Sequence, residues 1–413
     1  MDSSICVIGL GYIGLPTALL FAASGKIVHG FDVSQDKIKL LKAGKLPFAE
    51  PGLRELYIKA KKNGSFIPSN TIASTDCYII AVPTPQTNHA ADLTYVLQAL
   101  QSLIPFIRKS TLIVLESTIS PSDCDSHIIP FLEKYGKFNV ALAHCPERAI
   151  PGNTIHEMQY NSRVVGGKTS EVAERVKRLY LSFVKADIHT TNLITAAACK
   201  VMENTYRDVN IALANEFAKI ADDLKFNVWE AITLANLHPR VNIHQPGPGV
   251  GGHCIAVDPW YFVGESKQAR LITKARGIND DMPEYVAHHV SKIAKKYHLS
   301  SPIIGVLGYA YKKNVDDARE TPIEPLLKIL EKKYSCIVHD PYVDFKSRQS
   351  IELEQLLNKS QVIVLTTNHD IYKNIDFRNY PNIIAIYDLR NAVRNSQVNK
   401  TFTALYKLGD GRL

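Results

Sequence analysis

Short apolar runs alternate with helix-length stretches along the first third of the chain. The run SICVIG precedes a mostly apolar helix from about Leu15, and a second strand ends at Asp32. A strand, a helix and a strand in this order form one βαβ unit. Further strands are predicted over 77–82, 111–116 and 140–143, with helix-length segments between them. The pattern predicts an open parallel sheet, which binds ligands beyond the carboxyl ends of its strands.

Residues 192–221 form a different pattern, with apolar positions at helical spacing and neither glycine nor proline. A helix of this length spans roughly 45 Å. We expect it to link two domains, and a dimer interface along it stays an open alternative. Lys200, Asn204 and Arg207 are spaced by four and three residues, so they share one face of this helix. That face is either part of a site or a solvated polar surface.

A second α/β pattern begins near residue 301. Four strands are predicted over 302–308, 336–340, 361–369 and 383–391, and one helix over 322–332. Asp340 closes a strand as Asp32 does in the first half. Gly305 and Gly308 do not make a GxGxxG motif, so this half is expected to hold a different nucleotide.

We therefore expect an α/β fold with two Rossmann-like, doubly wound parallel-sheet domains, joined by a long central helix and a helical middle domain. The expected boundaries are 1–190 for the first α/β domain, 191–299 for the helical middle domain and 300–413 for the second α/β domain. A chain of 413 residues is long enough for two or three domains.

Composition and charge narrow the class of protein. No apolar stretch approaches the roughly 20 residues that span a bilayer, and the start does not read as an export signal, so we expect a cytoplasmic protein with no membrane partner. The seven cysteines include no CxxC pair, which argues against a disulfide framework and a metal site. The net charge of +8 is spread in short pairs, which disfavours nucleic acid and favours an anionic small molecule as the ligand.

Gly9, Gly11 and Gly14 form a GxGxxG motif between the first strand and the first helix, and Asp32 follows 18 residues beyond the last glycine. This is the full context of a dinucleotide-binding fingerprint, in which the helix N-terminus faces the pyrophosphate. Asp32 is expected to accept hydrogen bonds from the ribose hydroxyls and to repel a 2′-phosphate, so NAD is favoured over NADP. The alternative is that Asp32 merely ends a strand.

The stretch GPGVGGHCIAVDPW, residues 247–260, places Cys254 after a run of glycines. Glycine gives a bulky ligand and a nicotinamide ring access to the thiol, whereas a cysteine in a tight turn is the alternative. A nucleophile is surplus to a two-electron alcohol dehydrogenase. It suits a four-electron oxidation, because thiol addition holds the aldehyde as a thiohemiacetal that can lose a second hydride and become a thioester.

Such a reaction also needs a cation or an amide for the oxyanion and a carboxylate to activate water. Lys200, Asn204, Asp258 and Glu147 are of the right types, and Glu147 follows a strand, where the loops are expected to surround one crevice. Asp258 before Pro259 is also the pattern of a helix N-cap with proline at the first position, and that role stays open.

The chain resembles the UDP-glucose/GDP-mannose dehydrogenase family over essentially its whole length, and within it the branch that acts on N-acetylated mannosamine. The stretches that carry the resemblance are VIGLGYIGLPTA, AVPTP, EST, CPERAIPG, KVMENTYRDVNIALANE, HPRVNIHQPGPGVGGHCIAVDPW and YKKNVDDARET. The resemblance implies a homodimeric enzyme that uses two NAD to oxidise a UDP-N-acetylhexosamine to its uronate for surface polysaccharide synthesis. It also implies that the first domain binds NAD and the last domain binds the UDP-sugar.

The resemblance further implies roles for individual residues. Cys254 is then the nucleophile and Lys200 the oxyanion-stabilising and proton-transferring group, while Asn204 and Asp258 assist through hydrogen bonds or an ordered water. Beside the three glycines and Asp32, the implied NAD contacts are Tyr12, Ile13, Thr84, Thr118 and, from the C-terminal domain, Arg319. The implied substrate contacts are Arg148, Ala149, Lys200, Asn204, Arg207, His238, Arg240, Gly251, Tyr311, Lys312 and Arg390.

Two departures from the glucose branch are visible. Pro151 stands where the glucose branch has a second acid, so the pocket is expected to differ. GGHC replaces GGSC or GGMC, and His238-Pro239-Arg240 stands ahead of the glycine loop; both features resemble the N-acetylmannosamine branch. The C2 epimer, UDP-N-acetyl-D-glucosamine, stays the first alternative substrate. A two-electron hydroxyacid dehydrogenase would leave the GVGGHC loop and the second α/β domain unexplained. A non-catalytic NAD-sensing protein would not need Cys254 and Lys200.

Overall fold

The computed structural model describes residues 4–137, 139–150, 152–345, 350–399 and 401–413. Pro151, which replaces the second acid, lies outside these residues. The chain divides into two compact units. The first comprises Met1–Glu203 and Trp260–Lys267, and the second comprises Asn204–Pro259 and Gln268–Leu413.

The strands of the first unit are β1 (Ser4–Ile8), β2 (Ile27–Phe31), β3 (Phe66–Ser69), β4 (Cys77–Ile80), β5 (Gln86–Thr87), β6 (Ala90–Ala91), β7 (Leu112–Leu115), β8 (Ala141–His144), β9 (Arg163–Gly167) and β10 (Ile188–Asn192). Those of the second unit are β11 (Ile303–Leu307), β12 (Ser335–His339), β13 (Val362–Leu365), β14 (Ala385–Asp388) and β15 (Ala404–Lys407).

The α-helices are, in chain order, α1 (Gly14–Ala23), α2 (Gln35–Lys42), α3 (Leu53–Lys62), α4 (Thr94–Leu103), α5 (Ile129–Lys134), α6 (Thr154–Tyr160), α7 (Ser170–Tyr180), α8 (Leu193–Leu224), α9 (Val228–Ala235), α10 (Pro259–Glu265), α11 (Arg270–Asp280), α12 (Met282–Lys296), α13 (Ile323–Leu330) and α14 (Leu353–Lys359). The 32 residues of α8 confirm the predicted long helix, which ends three residues later than the pattern indicated.

The main sheet of the first unit has the strand order β10-β9-β8-β7-β4-β1-β2-β3. Its neighbouring strands are parallel except β8 and β9, which are antiparallel. The chain moves outward from β1 through β2 to β3 and then returns to the other side of β1 at β4. The strand order therefore reverses beside β1, which is the position where an open α/β sheet binds its ligand.

The sheet of the second unit has the order β12-β11-β13-β14-β15, and all of its described pairs are parallel. Here the strand order reverses at β11, which has β12 on one side and β13 on the other. The second unit thus repeats the arrangement of the first at its own central strand. This repetition confirms two Rossmann-like sheets.

Both sheets are buried on both faces, because alternate residues of their strands enter different cores. In β1, Val7 belongs to one apolar cluster and Ile8 to another. In β13, Val364 and Ile363 divide in the same way. Burial on two faces explains why these strands read as continuous apolar runs rather than as alternating ones. The α/β fold class with a helical middle is confirmed.

Three strands of the first sheet were not predicted. β3 contains a proline and β10 reads IHTTN, so neither resembles the apolar runs of the central strands. β9 reads RVVGG and pairs antiparallel with β8, for which the sequence has no separate signal. In the described part of the chain, no helix is long and apolar enough to cross a membrane.

Candidate active site

The turn after β1 has the geometry that a dinucleotide fingerprint requires. Gly9 has a φ of +93°, and a Cβ there would lie 2.6 Å from the carbonyl oxygen of Ala81. A Cβ on Gly14 would collide with the carbonyl of Gly9, so α1 begins directly against the turn. A Cβ on Gly11 would meet nothing within 4 Å. No side chain caps the start of α1, so the first N–H groups of the helix have no side-chain acceptor. They lie next to the open space at Gly11, and this combination suits a phosphate.

Asp32 follows β2 and is held beside this turn. Its Oδ2 accepts a hydrogen bond from the N–H of Leu10 at 2.8 Å and pairs with Lys37 Nζ at 2.6 Å, while Oδ1 accepts from the N–H of Ser34 at 2.9 Å. Burial raises the pKa of this carboxyl, but the hydrogen bonds from Lys37 and the backbone outweigh it and the pKa is lowered. Asp32 is therefore an ionised acceptor at neutral pH.

The other predicted cofactor residues of the first unit lie around the strand ends. Tyr12 is 37% exposed, and its ring lies 4.3 Å from that of Phe48. Ile13 is half-buried and directly precedes α1. Thr84 and Thr118 are half-buried on the loops after β4 and β7, which are neighbours in the sheet. Thr84 and Thr118 thus lie where the sequence predicted them, on loops that follow neighbouring parallel strands.

Glu147 lies on the loop after β8, and both of its carboxylate oxygens are engaged. Oε1 accepts hydrogen bonds from the N–H groups of Arg148 at 2.7 Å and Ala149 at 2.8 Å, and Oε2 pairs with Arg163. The guanidinium of Arg148 in turn pairs with Glu203 of α8. Glu147 thus shapes the loop that carries two predicted substrate residues.

A cluster of buried charged residues is joined to this loop through Glu147, and the sequence did not single it out. Arg163 of β9 lies 3.8 Å from Oε1 of Glu116, in addition to its pair with Glu147. Glu116 also accepts hydrogen bonds from Thr17 at 2.9 Å and from the Tyr180 hydroxyl at 2.6 Å. Burial raises the pKa of Glu116 to about 7, although Arg163 opposes the shift. These residues come from separate elements, so no local pattern predicts their meeting.

The predicted polar face of α8 carries two buried side chains. Lys200 is 7% exposed and Asn204 is 5% exposed, one helical turn apart on the same face. In the second unit, Nδ2 of Asn204 donates to Oδ2 of Asp258 at 2.6 Å, and the N–H of Asp258 donates to the carbonyl oxygen of Cys254 at 2.8 Å. A chain of hydrogen bonds therefore joins Asn204 to the predicted nucleophile.

Cys254 is exposed, and the glycines before it pack closely against the protein. Gly252 has a φ of +87°, and a Cβ there would lie 2.8 Å from Cζ of Tyr311. A Cβ on Gly251 would lie 2.7 Å from the Cβ of Tyr311. The glycines thus let the backbone approach Tyr311, in addition to the access to the thiol that the sequence suggested.

Asn215, which the sequence did not single out, anchors the start of this glycine loop. Its Oδ1 accepts a hydrogen bond from the N–H of Gly247 at 2.8 Å. Its Nδ2 donates to Oδ1 of Asn279 at 2.9 Å, and Nδ2 of Asn279 donates to Oδ1 of Asp208 at 2.8 Å. A buried network from α8 and α11 therefore fixes one end of the loop that leads to Cys254.

Arg319, Tyr311 and Lys312 lie on the segments that face this loop within the second unit. Arg319 binds Asp317 through two nitrogens at 2.8 and 2.6 Å, and its carbonyl oxygen accepts a hydrogen bond from the N–H of Gly252 at 3.0 Å. Lys312 is exposed. Burial raises the pKa of Tyr311 to about 12, and the charge of Asp317 adds to the shift. The Tyr311 hydroxyl is therefore a neutral hydrogen-bonding group.

Arg390 follows β14, and its guanidinium contacts the backbone of Thr366 and Gly247. Its Nε donates to the carbonyl oxygen of Thr366 at 2.8 Å, and a Cβ on Gly247 would lie 2.5 Å from its Nη1. Burial lowers the pKa of this guanidinium to about 10, although the charge of Asp388 opposes the shift. A half-buried cation held through a carbonyl suits an anionic ligand.

The remaining predicted substrate residues lie near the end of α9 and on α8. His238 and Arg240 are exposed, and the N–H of Arg240 donates to Nδ1 of His238 at 3.3 Å. Arg207 is half-buried on α8. Burial lowers the pKa of His244, and the charge of Arg207 lowers it further.

Sequence models of the UDP-glucose/GDP-mannose dehydrogenase family match the chain in three consecutive regions. The NAD binding domain of the family matches residues 3–184, the central domain matches residues 194–281, and the UDP binding domain matches residues 305–395. The matches follow the order of the first sheet, the long helix with the cysteine loop, and the second sheet.

Similar proteins extend this likeness over the whole chain. The UDP-N-acetyl-D-mannosamine dehydrogenase of Methanocaldococcus jannaschii is 42% identical over 419 residues, which cover 99% of this chain and 97% of that protein. Among solved structures, the UDP-D-ManNAc dehydrogenase of Pyrococcus horikoshii has a TM-score of 0.93 at 36% identity and covers 99% of this chain and 100% of its own. The UDP-N-acetyl-mannosamine dehydrogenase of Staphylococcus aureus has a TM-score of 0.89 at 39% identity, with 99% and 98% covered.

Proposed function

The chain belongs to the UDP-glucose/GDP-mannose dehydrogenase family, and we propose that it oxidises UDP-N-acetyl-D-mannosamine at C6 to UDP-N-acetyl-D-mannosaminuronate. Its cofactor is NAD, of which each turnover would use two. The observation that carries the proposal is the exposed thiol of Cys254 at the end of a glycine loop, linked through Asp258 to Asn204. Relatives named for this sugar align over nearly the whole chain, which supports the same substrate.

The first unit fits NAD at the turn after β1. The open space at Gly11, the uncapped start of α1 and the ionised Asp32 suit a pyrophosphate and a ribose. When bound, NAD accepts the hydride that leaves C6 of the sugar in each of the two oxidations. We propose as further contacts Tyr12, Ile13, Thr84, Thr118 and Arg319.

In the first oxidation, we propose that Lys200 assists removal of the proton from the C6 hydroxyl while C6 loses a hydride and becomes an aldehyde. The thiolate of Cys254 then adds to the aldehyde carbon, so that a C–S bond forms and the oxygen gains a proton. This thiohemiacetal keeps the half-oxidised sugar on the enzyme. The ammonium of Lys200 and the amide of Asn204 are the groups proposed to stabilise the oxyanion.

In the second oxidation, the thiohemiacetal loses its hydroxyl proton and a second hydride, and a thioester remains on Cys254. Water attacks the thioester carbon, the C–S bond breaks, and the uronate leaves while the thiol is restored. Asp258 is the carboxylate that we propose to orient this water, because it is bonded both to Asn204 and to the backbone of Cys254. Glu147, whose two oxygens hold the Arg148 loop, is then proposed to position the substrate.

The substrate would be held by cations that complement the two phosphate charges of a UDP-sugar. We propose that Arg207, Arg240, Lys312 and Arg390 supply them. The further proposed contacts of the sugar nucleotide are Arg148, Ala149, His238, Gly251 and Tyr311. Gly251 is buried against Tyr311, so its proposed contribution is to let the cysteine loop approach that side chain closely.

We also propose that the enzyme is a cytoplasmic homodimer that serves surface polysaccharide synthesis. The support for a dimer is a row of exposed apolar side chains on α8, at Tyr206, Leu213 and Ile220, which are spaced by seven residues. The proposed domain boundaries remain 1–190, 191–299 and 300–413, close to the limits of the three matched family regions.

The substrate assignment is tested with purified protein, NAD and each of the two C2 epimers. We expect kcat/KM for UDP-N-acetyl-D-mannosamine to exceed that for UDP-N-acetyl-D-glucosamine by at least about tenfold, which corresponds to roughly 1.4 kcal/mol of transition-state discrimination. NADH absorbance gives the rates, and mass spectrometry identifies the uronate. Equal or faster oxidation of the gluco epimer would overturn the assignment.

A further inference from the structure

The segment 309–314 of the second unit, which reads YAYKKN, has its backbone anchored at both ends. At its start, the N–H groups of Tyr309 and Ala310 donate to Oδ2 of Asp340 at 2.7 and 2.8 Å. At its end, the N–H of Asn314 donates to Nδ1 of His369 at 2.9 Å. Asn314 has a φ of +58°, so the anchored end adopts the left-handed conformation that asparagine tolerates.

One imidazole connects the two anchors. Nε2 of His369 lies 3.0 Å from the same Oδ2 of Asp340 that binds the start of the segment, and both side chains are fully buried. Asp340 is ionised at neutral pH, because hydrogen bonds lower its pKa to about 2 despite its burial. An ionised carboxylate only accepts hydrogen bonds, so Nε2 carries the proton. Nδ1 of the neutral ring is then an acceptor, which is what the N–H of Asn314 requires.

The anchored segment presents Tyr311 and Lys312 between its two ends. The ring of Tyr311 lies against Gly252, and its Cβ lies against Gly251, on the loop that leads to Cys254. A shift of the segment would therefore move the surface against which the cysteine loop packs.

We propose that His369 is a positioning residue, whose neutral ring ties Asp340 to Asn314 and so holds Tyr311 and Lys312 in the geometry that binds the UDP portion of the substrate. This inference rests on the proposed function, because that function assigns the UDP contact to Tyr311 and Lys312. His369 itself is not proposed to touch the substrate.

The neighbouring Tyr372 gives a matched control for a purely structural role. His339 is also buried, and its Nδ1 lies 2.8 Å from the hydroxyl of Tyr372, which in turn donates to the carbonyl oxygen of His339. The ring of Tyr372 packs 5.5 Å from that of His369, but its hydroxyl bonds to β12 rather than to the 309–314 segment. Tyr372→Phe therefore disturbs the same buried cluster without removing an anchor of the segment.

Three substitutions of His369 separate its two hydrogen bonds. In His369→Gln, the amide nitrogen reaches the position of Nε2 and keeps the bond to Asp340, while the acceptor for Asn314 is lost. In His369→Asn, the amide oxygen lies near the position of Nδ1 and keeps the acceptor for Asn314. His369→Ala removes both.

Two measurements on each full-length variant test the proposal: the Kd for UDP by calorimetry, and the exchange rate of the backbone amides of 309–314 by hydrogen–deuterium exchange. Loss of one buried hydrogen bond corresponds to about a fivefold to tenfold change in either quantity. We expect His369→Ala and His369→Gln to weaken UDP binding and to accelerate exchange at Asn314 by about that factor. We expect His369→Asn, which keeps the acceptor for Asn314 but loses the bond to Asp340, to change both quantities less than His369→Gln does. We expect Tyr372→Phe to remain within about twofold of the unaltered protein in both measurements.

The outcomes separate this inference from the proposed function. If His369→Ala lowers the melting temperature as Tyr372→Phe does but leaves exchange of 309–314 unchanged, the positioning role is wrong even though the unaltered protein binds UDP. If the unaltered protein does not bind UDP, the proposed function fails, and the exchange rates still decide whether His369 holds the segment. Faster exchange with unchanged UDP affinity would also overturn the positioning role.

Discussion

At the scale of single residues, the proposed chemistry depends on how Cys254 is presented. Its carbonyl oxygen accepts hydrogen bonds from the N–H groups of Val257 at 3.2 Å and Asp258 at 2.8 Å, so the cysteine begins a turn that leads into α10. The side chain of Asp258 is 2% exposed and bonded to Asn204, whereas Cys254 is exposed. The backbone of Cys254 is thus fixed while the residue stays exposed.

Replacement of this sulfur by oxygen should separate binding from turnover. We expect Cys254→Ser to bind NAD and the UDP-sugar with nearly unchanged affinity, because the change is one atom. We expect kcat to fall on the order of 10³-fold or more, since an alkoxide forms far less readily than a thiolate. Calorimetry measures the two affinities and NADH absorbance measures turnover. Full turnover by this variant would be incompatible with covalent capture.

At the scale of elements, the two sheets build similar turns around an aspartate. Gly9 and Gly308 follow the central strands with φ of +93° and +100°. Asp32 then accepts the N–H of Leu10, as Asp340 accepts that of Ala310. The second turn lacks the further glycines of the first, and its aspartate is bound by His369 instead of a lysine. Asp340 therefore has a structural role in the second sheet.

The hydrogen bonds to Asp340 predict a specific acid sensitivity. Burial raises the pKa of this carboxyl, but hydrogen bonds from His369 and the backbone lower it overall, from its ordinary 3.8 to about 2. A lowered pKa means that the carboxylate stabilises the fold above about pH 4 and that this contribution, about 2 kcal/mol, is lost as the pH falls towards about 2. We expect the melting temperature of the unaltered protein to fall more steeply over this range than that of Asp340→Asn. Parallel curves would contradict the role of Asp340.

The features that the sequence predicted are those encoded within one short stretch. The glycine turn and the 32-residue helix α8 follow from local spacing, as does the exposed cysteine after GVGG. The anchors of these segments were missed because they come from distant parts of the chain. Asn215 lies 32 residues before its partner Gly247, and His369 lies 55 residues after Asn314. An asparagine in a helix and a histidine after a strand have no local signal of such contacts.

At the scale of the whole molecule, the chain contains a region for each component of the proposed reaction. The family regions for NAD binding, the central domain and UDP binding follow one another along the chain. The net charge of +8 favours a substrate with two phosphate charges, whose attraction is strongest at low ionic strength. A four-electron oxidation by this molecule requires that the aldehyde does not leave between the two hydride transfers.

The most direct test of covalent capture is the number of NADH formed for each UDP-sugar consumed, measured with and without hydroxylamine as an aldehyde trap. We predict two NADH per sugar and no trapped oxime with the unaltered protein. The product is the uronate without hydroxylamine, and any hydroxamate formed in its presence comes from cleavage of the Cys254 thioester at the same oxidation level. A ratio of one NADH per sugar, with the oxime of the C6 aldehyde in solution, would contradict the claim that Cys254 retains the half-oxidised sugar.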